Sequence, residues 1–241
     1  MTQLAIISDI HANITALEAV LKDIDNRGIS QVYCLGDLVD FAPWGNEVIS
    51  LVRSRNIPCL LGNHDERIAF DQPIIPLAHQ DEMESANRKQ AIEWSKHTIT
   101  PENKQWLAQR PYQLELSFKT NSGLKHVLLV HASPRSNDEY IFESHAEAAL
   151  LAMLGARKTD ALFMGHTHCS YVKHAADILI VNCGSVGRSK EKDKQATYSI
   201  LHISDDTLCA EIVKVGYPVR QVAEAIYDSD IPDFYGDFLL R

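Results

Sequence analysis

The sequence is short of what marks secreted, membrane-bound or nucleic-acid-coating chains. Its five cysteines, Cys34, Cys59, Cys169, Cys183 and Cys209, form no C-x-x-C pair. Cys34, Cys59 and Cys209 sit in apolar strand-like contexts, so buried, reduced thiols are expected. No basic leader opens the chain, and its first apolar run is broken by Ser8 and Asp9, which argues against a signal peptide and a spanning helix. A cytoplasmic location with no membrane partner is the corresponding expectation. Positive charge is also scarce. A formal net charge of −9 argues against nucleic acid or anionic lipid as a bulk partner. A small phosphoester remains compatible with it, because bound cations would invert the field inside a cleft. No internal repeat or low-complexity tract is evident. What is present is globular: 45% hydrophobic and 23% charged residues over 241 positions, enough for one domain with a substantial core.

The first 65 residues alternate short apolar runs at 4–8, 31–35 and 57–61 with helical spacing. Ile14, Leu17, Val20, Leu21 and Ile24 recur at helix period before Gly28, and a second helix is expected at 45–55. This β-α-β-α-β order favours parallel strands with right-handed crossovers. Residues 66–110 lose the strand pattern and are expected to form a helical cap insertion, with Trp94 and Trp106 as packing anchors. Strands are expected again at 112–118, 125–131, 161–165, 178–182, 196–203 and 207–215, with a helix near 144–154. Polar turns such as Ser204 to Asp206 imply antiparallel neighbours near the end. The tail at 218–241 reads as a helix plus an aromatic-rich closing segment.

Polar clusters follow five of these apolar runs: Asp9 and His11, then Asp37, then Asn63-His64-Asp65, then His131, then His166 and His168. In a mainly parallel sheet the carboxyl ends share one edge, where ligands bind. A single Asp there reads as a helix cap and a single His as packing. Five ends decorated with metal donors are not explained by independent local roles. Two carboxylates, one amide and four imidazoles, with no thiolate, suit Mn, Fe, Co, Ni or Zn, and seven donors exceed the needs of one ion. Two divalent transition-metal ions are therefore expected, of unspecified identity. Such a pair, if one carboxylate bridges, has the make-up of a two-metal hydrolase.

The blocks Asp9-x-His11, Gly36-Asp37-x-x-Asp40, Gly62-Asn63-His64-Asp65, His131 and Gly165-His166-Thr167-His168 resemble the calcineurin-like metallophosphoesterase superfamily. The stretch at 182–187 resembles its N-P-G-S loop, with Cys183 in place of the proline. The resemblance implies an α/β fold, a four-layer α/β/β/α sandwich of two mixed sheets, and a single domain over 1–241 with the insertion at 66–110. It also implies that Asp9, His11 and His168 hold one metal, that Asn63, His131 and His166 hold the other, and that Asp37 bridges. His64 is the candidate proton donor, with Asp65 or Asp40 orienting its ring.

Asn13, Arg135 and Arg188 are candidate substrate contacts, although Asn13 also fits a helix N-cap. Cys183 would leave a thiol near the site. His79, His97, His126, His145, His174 and His202 have no motif context and read as structural. Phe41-Ala42 after Asp40, and Asp65 after His64, depart from the G-D-x-x-D-R-G and G-N-H-E blocks of the protein phosphatases. The chain looks more like the compact prokaryotic phosphodiesterase-type branch. Phosphodiester hydrolysis is the first expectation; a phosphomonoesterase acting on a nucleotide or phosphoprotein, or a non-catalytic binding scaffold of the same fold, are the alternatives. Mixed sheets with an exposed edge leave room for a homo-oligomer.

Overall fold

The structure is a computed structural model that describes residues 2–77, 80–205 and 207–241. His79, and Asp206 of the expected turn, lie outside the described residues. The chain opens with strand β1 (Thr2–Ile7), helix α1 (Ile14–Asn26), strand β2 (Val32–Cys34) and helix α2 (Gly45–Ser54). Three helices follow: α3 (Asn63–Ala69), α4 (Glu82–Thr98) and α5 (Pro101–Ala108). Next come β3 (Gln113–Thr120), β4 (Gly123–Val130), α6 (Glu147–Leu154), β5 (Ala161–Met164), β6 (Tyr171–Ala175) and β7 (Ile178–Asn182). The chain closes with β8 (Ala196–Ile203), β9 (Leu208–Val215), α7 (Val219–Tyr227) and α8 (Phe234–Leu240).

The strands form two mixed sheets, in the orders β2-β1-β8-β9 and β3-β4-β5-β7-β6. Side-chain alternation along the strands explains the layers. Leu4 and Ile6 of β1 meet Val127, Leu129 and Phe163 between the sheets. Ala5 and Ile7 face the other way, onto Leu17, Val20, Ile49 and Val52 of α1 and α2. In the second sheet Leu128, Val130 and Leu162 turn outward against Leu150, Met153 and Leu154 of α6. The result is the expected four-layer α/β/β/α sandwich.

Some expectations are corrected. The run at 57–61 is not a full strand but a single parallel bridge, Cys34↔Cys59, because β2 itself is only three residues long. Strand β6 escaped the sequence reading: Lys173 and His174 mask the alternation of an edge strand hairpinned onto β7. The aromatic closing segment is itself helical, as α8. Cys209 is exposed rather than buried, since β9 turns alternate residues to solvent. Helices α4 and α5 arise where a helical segment was expected, and they send Ile92 and Leu107 into the same core as α1 and α2. Trp94 and Trp106 pack against the clusters flanking them.

Candidate metal centre

Strands β1 and β2 run parallel in one sheet, as do β4, β5 and β7 in the other, so their carboxyl ends open on one edge. Beyond those ends the backbone turns sharply. Asp9, His11, Asp37, His166 and His168 all have positive φ, between 49° and 65°. Non-glycine residues occupy that region at a cost of roughly 1–3 kcal/mol each, and such strain concentrates at functional sites. Two glycines let the segments close up. A Cβ on Gly62 would collide with the Asp37 amide and carboxylate, and one on Gly165 with Ser8 Oγ and Asp9 Oδ2.

The donors assemble into two buried groups, Asp9-His11-His168 and Asp37-His131-His166. Each aspartate is held by one oxygen and offers the other. Asp9 Oδ2 accepts from Ser8 Oγ at 2.5 Å and from the His166 amide at 2.9 Å. Asp37 Oδ1 accepts from the His64 amide at 2.8 Å, across the N-terminus of α3. Asp9 Oδ1 and Asp37 Oδ2 are buried with no hydrogen-bond partner. A buried carboxylate oxygen is seldom without a partner, so these two are the atoms a bound cation would satisfy.

The imidazoles show the complementary pattern. His11, His131 and His168 direct Nδ1 at the carbonyls of Val39 (3.0 Å), Leu35 (3.1 Å) and Arg188 (2.7 Å). His166 is reversed and spends Nε2 on the Asp138 carbonyl at 3.1 Å. Each ring thus spends one nitrogen on the backbone and turns the other inward, the arrangement of metal-ligating histidines. His168 Nε2 lies 3.2 Å from Asp9 Oδ1 and 3.1 Å from His11 Nε2. Asn63 Oδ1 sits 2.9 Å from His131 Nε2 and 3.0 Å from His166 Nδ1. Asp37 Oδ2 lies between the groups, 3.8 Å from His11 Nε2 and 3.4 Å from His131 Nε2. Burial pushes His11 down to about 3, and burial together with His131 pushes His166 down to about 4, so both rings are neutral and lone-pair bearing at neutral pH. The residues present fit divalent cations.

Of the two carboxylates considered beside His64, it is Asp40 that contacts the ring. Asp40 Oδ2 meets His64 Nδ1 at 2.6 Å. Asp65 does not reach the ring: its oxygens accept from the amides of Leu38 (2.8 Å) and Gly62 (3.2 Å), tying the two loops together. Burial lifts the Asp40 carboxyl to about 7 and depresses the His64 imidazole.

Asn13 is also spent. Its Oδ1 caps α1 at the Ala16 amide and its Nδ2 holds the Gly187 carbonyl, so this fully buried side chain has the N-cap role and no group free for substrate. Arg135 pairs with Glu139 in a neighbouring groove of about 510 Å³ that borders the centre at Asn63. Arg188 lines a second cavity of about 310 Å³, together with His64, His166, His168 and Asp37. Its guanidinium lies 4.5 Å from the ring centroids of Phe41 and Phe238. Cys183 points away, buried between the sheets with Sγ 2.9 Å from Ser199 Oγ, and burial pushes its thiol up to about 12. The loop that contains it clamps Asp9 instead, through Ser185 Oγ and the Gly187 amide on the Asp9 carbonyl. Sequence reasoning missed the cavity wall of Tyr140, Phe234, Tyr235, Phe238 and Arg88. These residues carry no motif, and only the aromatic density of the tail hinted at them.

The sequence profile of the calcineurin-like phosphoesterase superfamily domain matches residues 2–206. The chain belongs to that family. An uncharacterised protein of Methanocaldococcus jannaschii is 31% identical over 257 residues, spanning 99% of this chain and 97% of its own length. A metallophosphoesterase from Sphaerobacter thermophilus shares 26% identity with a TM-score of 0.77, covering 99% and 98% of the two chains. A hypothetical protein from Pyrococcus horikoshii shares the fold at 20% identity and a TM-score of 0.82, again over 99% and 98%. As a calcineurin-like phosphoesterase the chain is a metal-dependent phosphoric ester hydrolase acting on a small-molecule substrate. No helix among the described residues is long and apolar enough to cross a membrane.

Proposed function

We propose that this calcineurin-like phosphoesterase uses two divalent metal ions to hydrolyse a phosphodiester. The observation that carries the two-ion reading is Asp37 Oδ2, buried, unpartnered and placed between the two donor groups. Asp9, His11 and His168 would hold one ion, Asn63, His131 and His166 the other, with Asp37 shared. When bound, such a pair acidifies water and neutralises charge on phosphoryl oxygens.

The remaining work falls to side chains of the chain itself. His64 lines the cavity, and with Nδ1 held by Asp40 its Nε2 is the group left to protonate the departing oxygen. Burial keeps the ring from carrying a charge of its own and lifts Asp40 to about 7, so Asp40 fixes the ring and passes a proton to Nδ1 as Nε2 gives its own away. Arg188, braced on Phe41 and Phe238, holds a phosphoryl oxygen. The aromatic wall keeps bulk water from the leaving side. A diester is favoured because cavities open on both sides of the centre, one at His64 and His168 and one at Asn63, giving each ester arm a place.

The test is a panel of mono- and diesters in Mn²⁺, led by bis(p-nitrophenyl) phosphate. Diester turnover that needs metal supports the reading; protein loaded with two metals that cleaves only monoesters, or nothing, refutes it.

A further inference from the structure

Two arginines face the 310 Å³ cavity from unrelated parts of the chain: Arg88 from α4 and Arg188 from the loop after β7. Arg88 is 6% exposed, and its Nη1 donates to the Ile75 carbonyl at 3.0 Å. Arg188 Nε is buried with no hydrogen-bond partner, and its guanidinium rests on aromatic rings. Among the described residues neither guanidinium is in an ion pair, although nine other lysines and arginines of the chain are. Besides Asp37 on the floor, one carboxylate lines this cavity, Glu84, a turn before Arg88 on α4. Asp40 and Glu84 act on Arg88 and Arg188 from a distance without pairing with them, and holding cations out of water with no directly bonded carboxylate is unfavourable, a cost offset when an anion docks between them.

Arg188 is accounted for by the scissile phosphate. Arg88 is not. We propose that the leaving alcohol itself bears a phosphate and that Arg88 selects it; this rests on the phosphodiesterase reading above. His64 opens into the same cavity, so atoms beyond the departing oxygen enter this side rather than the groove at Asn63. The walls add Tyr140, Phe234 and Tyr235, flat surfaces suited to a ring between the departing oxygen and the second phosphate. A nucleotide leaving group has that chemistry. In the reaction, oxygen from water bonds to phosphorus and the bond from phosphorus to the leaving oxygen breaks. That oxygen takes the proton from His64, giving one phosphomonoester and one phosphorylated alcohol.

The metal-loaded full chain should be assayed with the dinucleotides ApA and pApA, which differ only in the terminal phosphate, alongside bis(p-nitrophenyl) phosphate. We expect kcat/KM for pApA to exceed that for ApA by roughly tenfold to a hundredfold, the worth of a charge-assisted contact. Arg88→Gln should collapse the ratio toward one, and Arg88→Lys should restore part of it. Equal kcat/KM for the two dinucleotides in the unaltered protein overturns the inference without any variant. So does a ratio that survives Arg88→Gln in protein of normal metal content and unfolding midpoint. Should Arg88→Gln fail to fold, Arg88→Lys replaces it: a reduced ratio of pApA to ApA in that variant supports the inference and an unchanged ratio overturns it. Cleavage of bis(p-nitrophenyl) phosphate without discrimination between dinucleotides sinks this inference alone, whereas no diester cleavage at all sinks the parent reading and this one with it.

Discussion

Replacing Asp37 by Asn separates the contribution of the metal from that of the fold. Asn preserves the bond from the His64 amide to Oδ1 and changes only the unpartnered oxygen that faces His11 and His131. In the unaltered protein, an ion held at a hundred times its Kd stabilises the native state by about 2.7 kcal/mol. For a chain of this size that raises the unfolding midpoint by about 5–11 °C. In Asp37→Asn the bridging charge is gone, so most of that rise should vanish. The metal-free midpoint is measured as the separate control for the fold, because Asp37 also faces His131 at 3.4 Å and its neutralisation leaves that buried ring without a counter-charge. Scanning calorimetry with and without Mn²⁺, paired with elemental analysis, measures both halves. A full metal-dependent rise in Asp37→Asn, or an unaltered protein whose midpoint ignores Mn²⁺ and chelator, would refute the reasoning.

Other perturbations address single parts of the site. His64→Ala should keep both metals and the unfolding midpoint while turnover falls by ~10²-fold or more, the scale of general acid catalysis; loss of metal on elemental analysis would move His64 into the ligand set. Asp40→Asn should slow turnover less than His64→Ala, and Asp65→Asn should act through stability rather than turnover, since Asp65 binds backbone amides and not the ring. Equal kinetic losses from the two aspartates, measured on folded protein, would contradict that division. Arg188→Lys should lower kcat/KM by roughly tenfold or more, because an ammonium cannot reproduce the stacked, forked guanidinium; unchanged kinetics would remove Arg188 from substrate binding. Gly165→Ala should displace Asp9, lowering metal content together with stability, and a normal metal content would show that the strand ends can part to admit a methyl group.

Much of this protein was written locally. Short apolar runs, helical spacing before Gly28, and donors placed directly after strands are patterns along the chain, and they carried the strands, the shared edge and the metal-binding chemistry, while the four-layer sandwich came from the family resemblance of the motif blocks. Tertiary packing decided what no spacing encodes. Which imidazole nitrogen faces inward depends on the carbonyls of Leu35, Val39, Asp138 and Arg188, each of them 20 or more residues away along the chain. Asp40 rather than Asp65 took the His64 ring because α3 turns Asp65 back onto its own N-terminus, where unpaired amides compete for it. Arg135 and Arg188 look equivalent as letters, yet one found Glu139 four residues on and the other a bed of aromatic rings brought from both ends of the chain. Charge and hydrogen-bonding capacity are properties of a residue; whether they are already satisfied is a property of its neighbours in space.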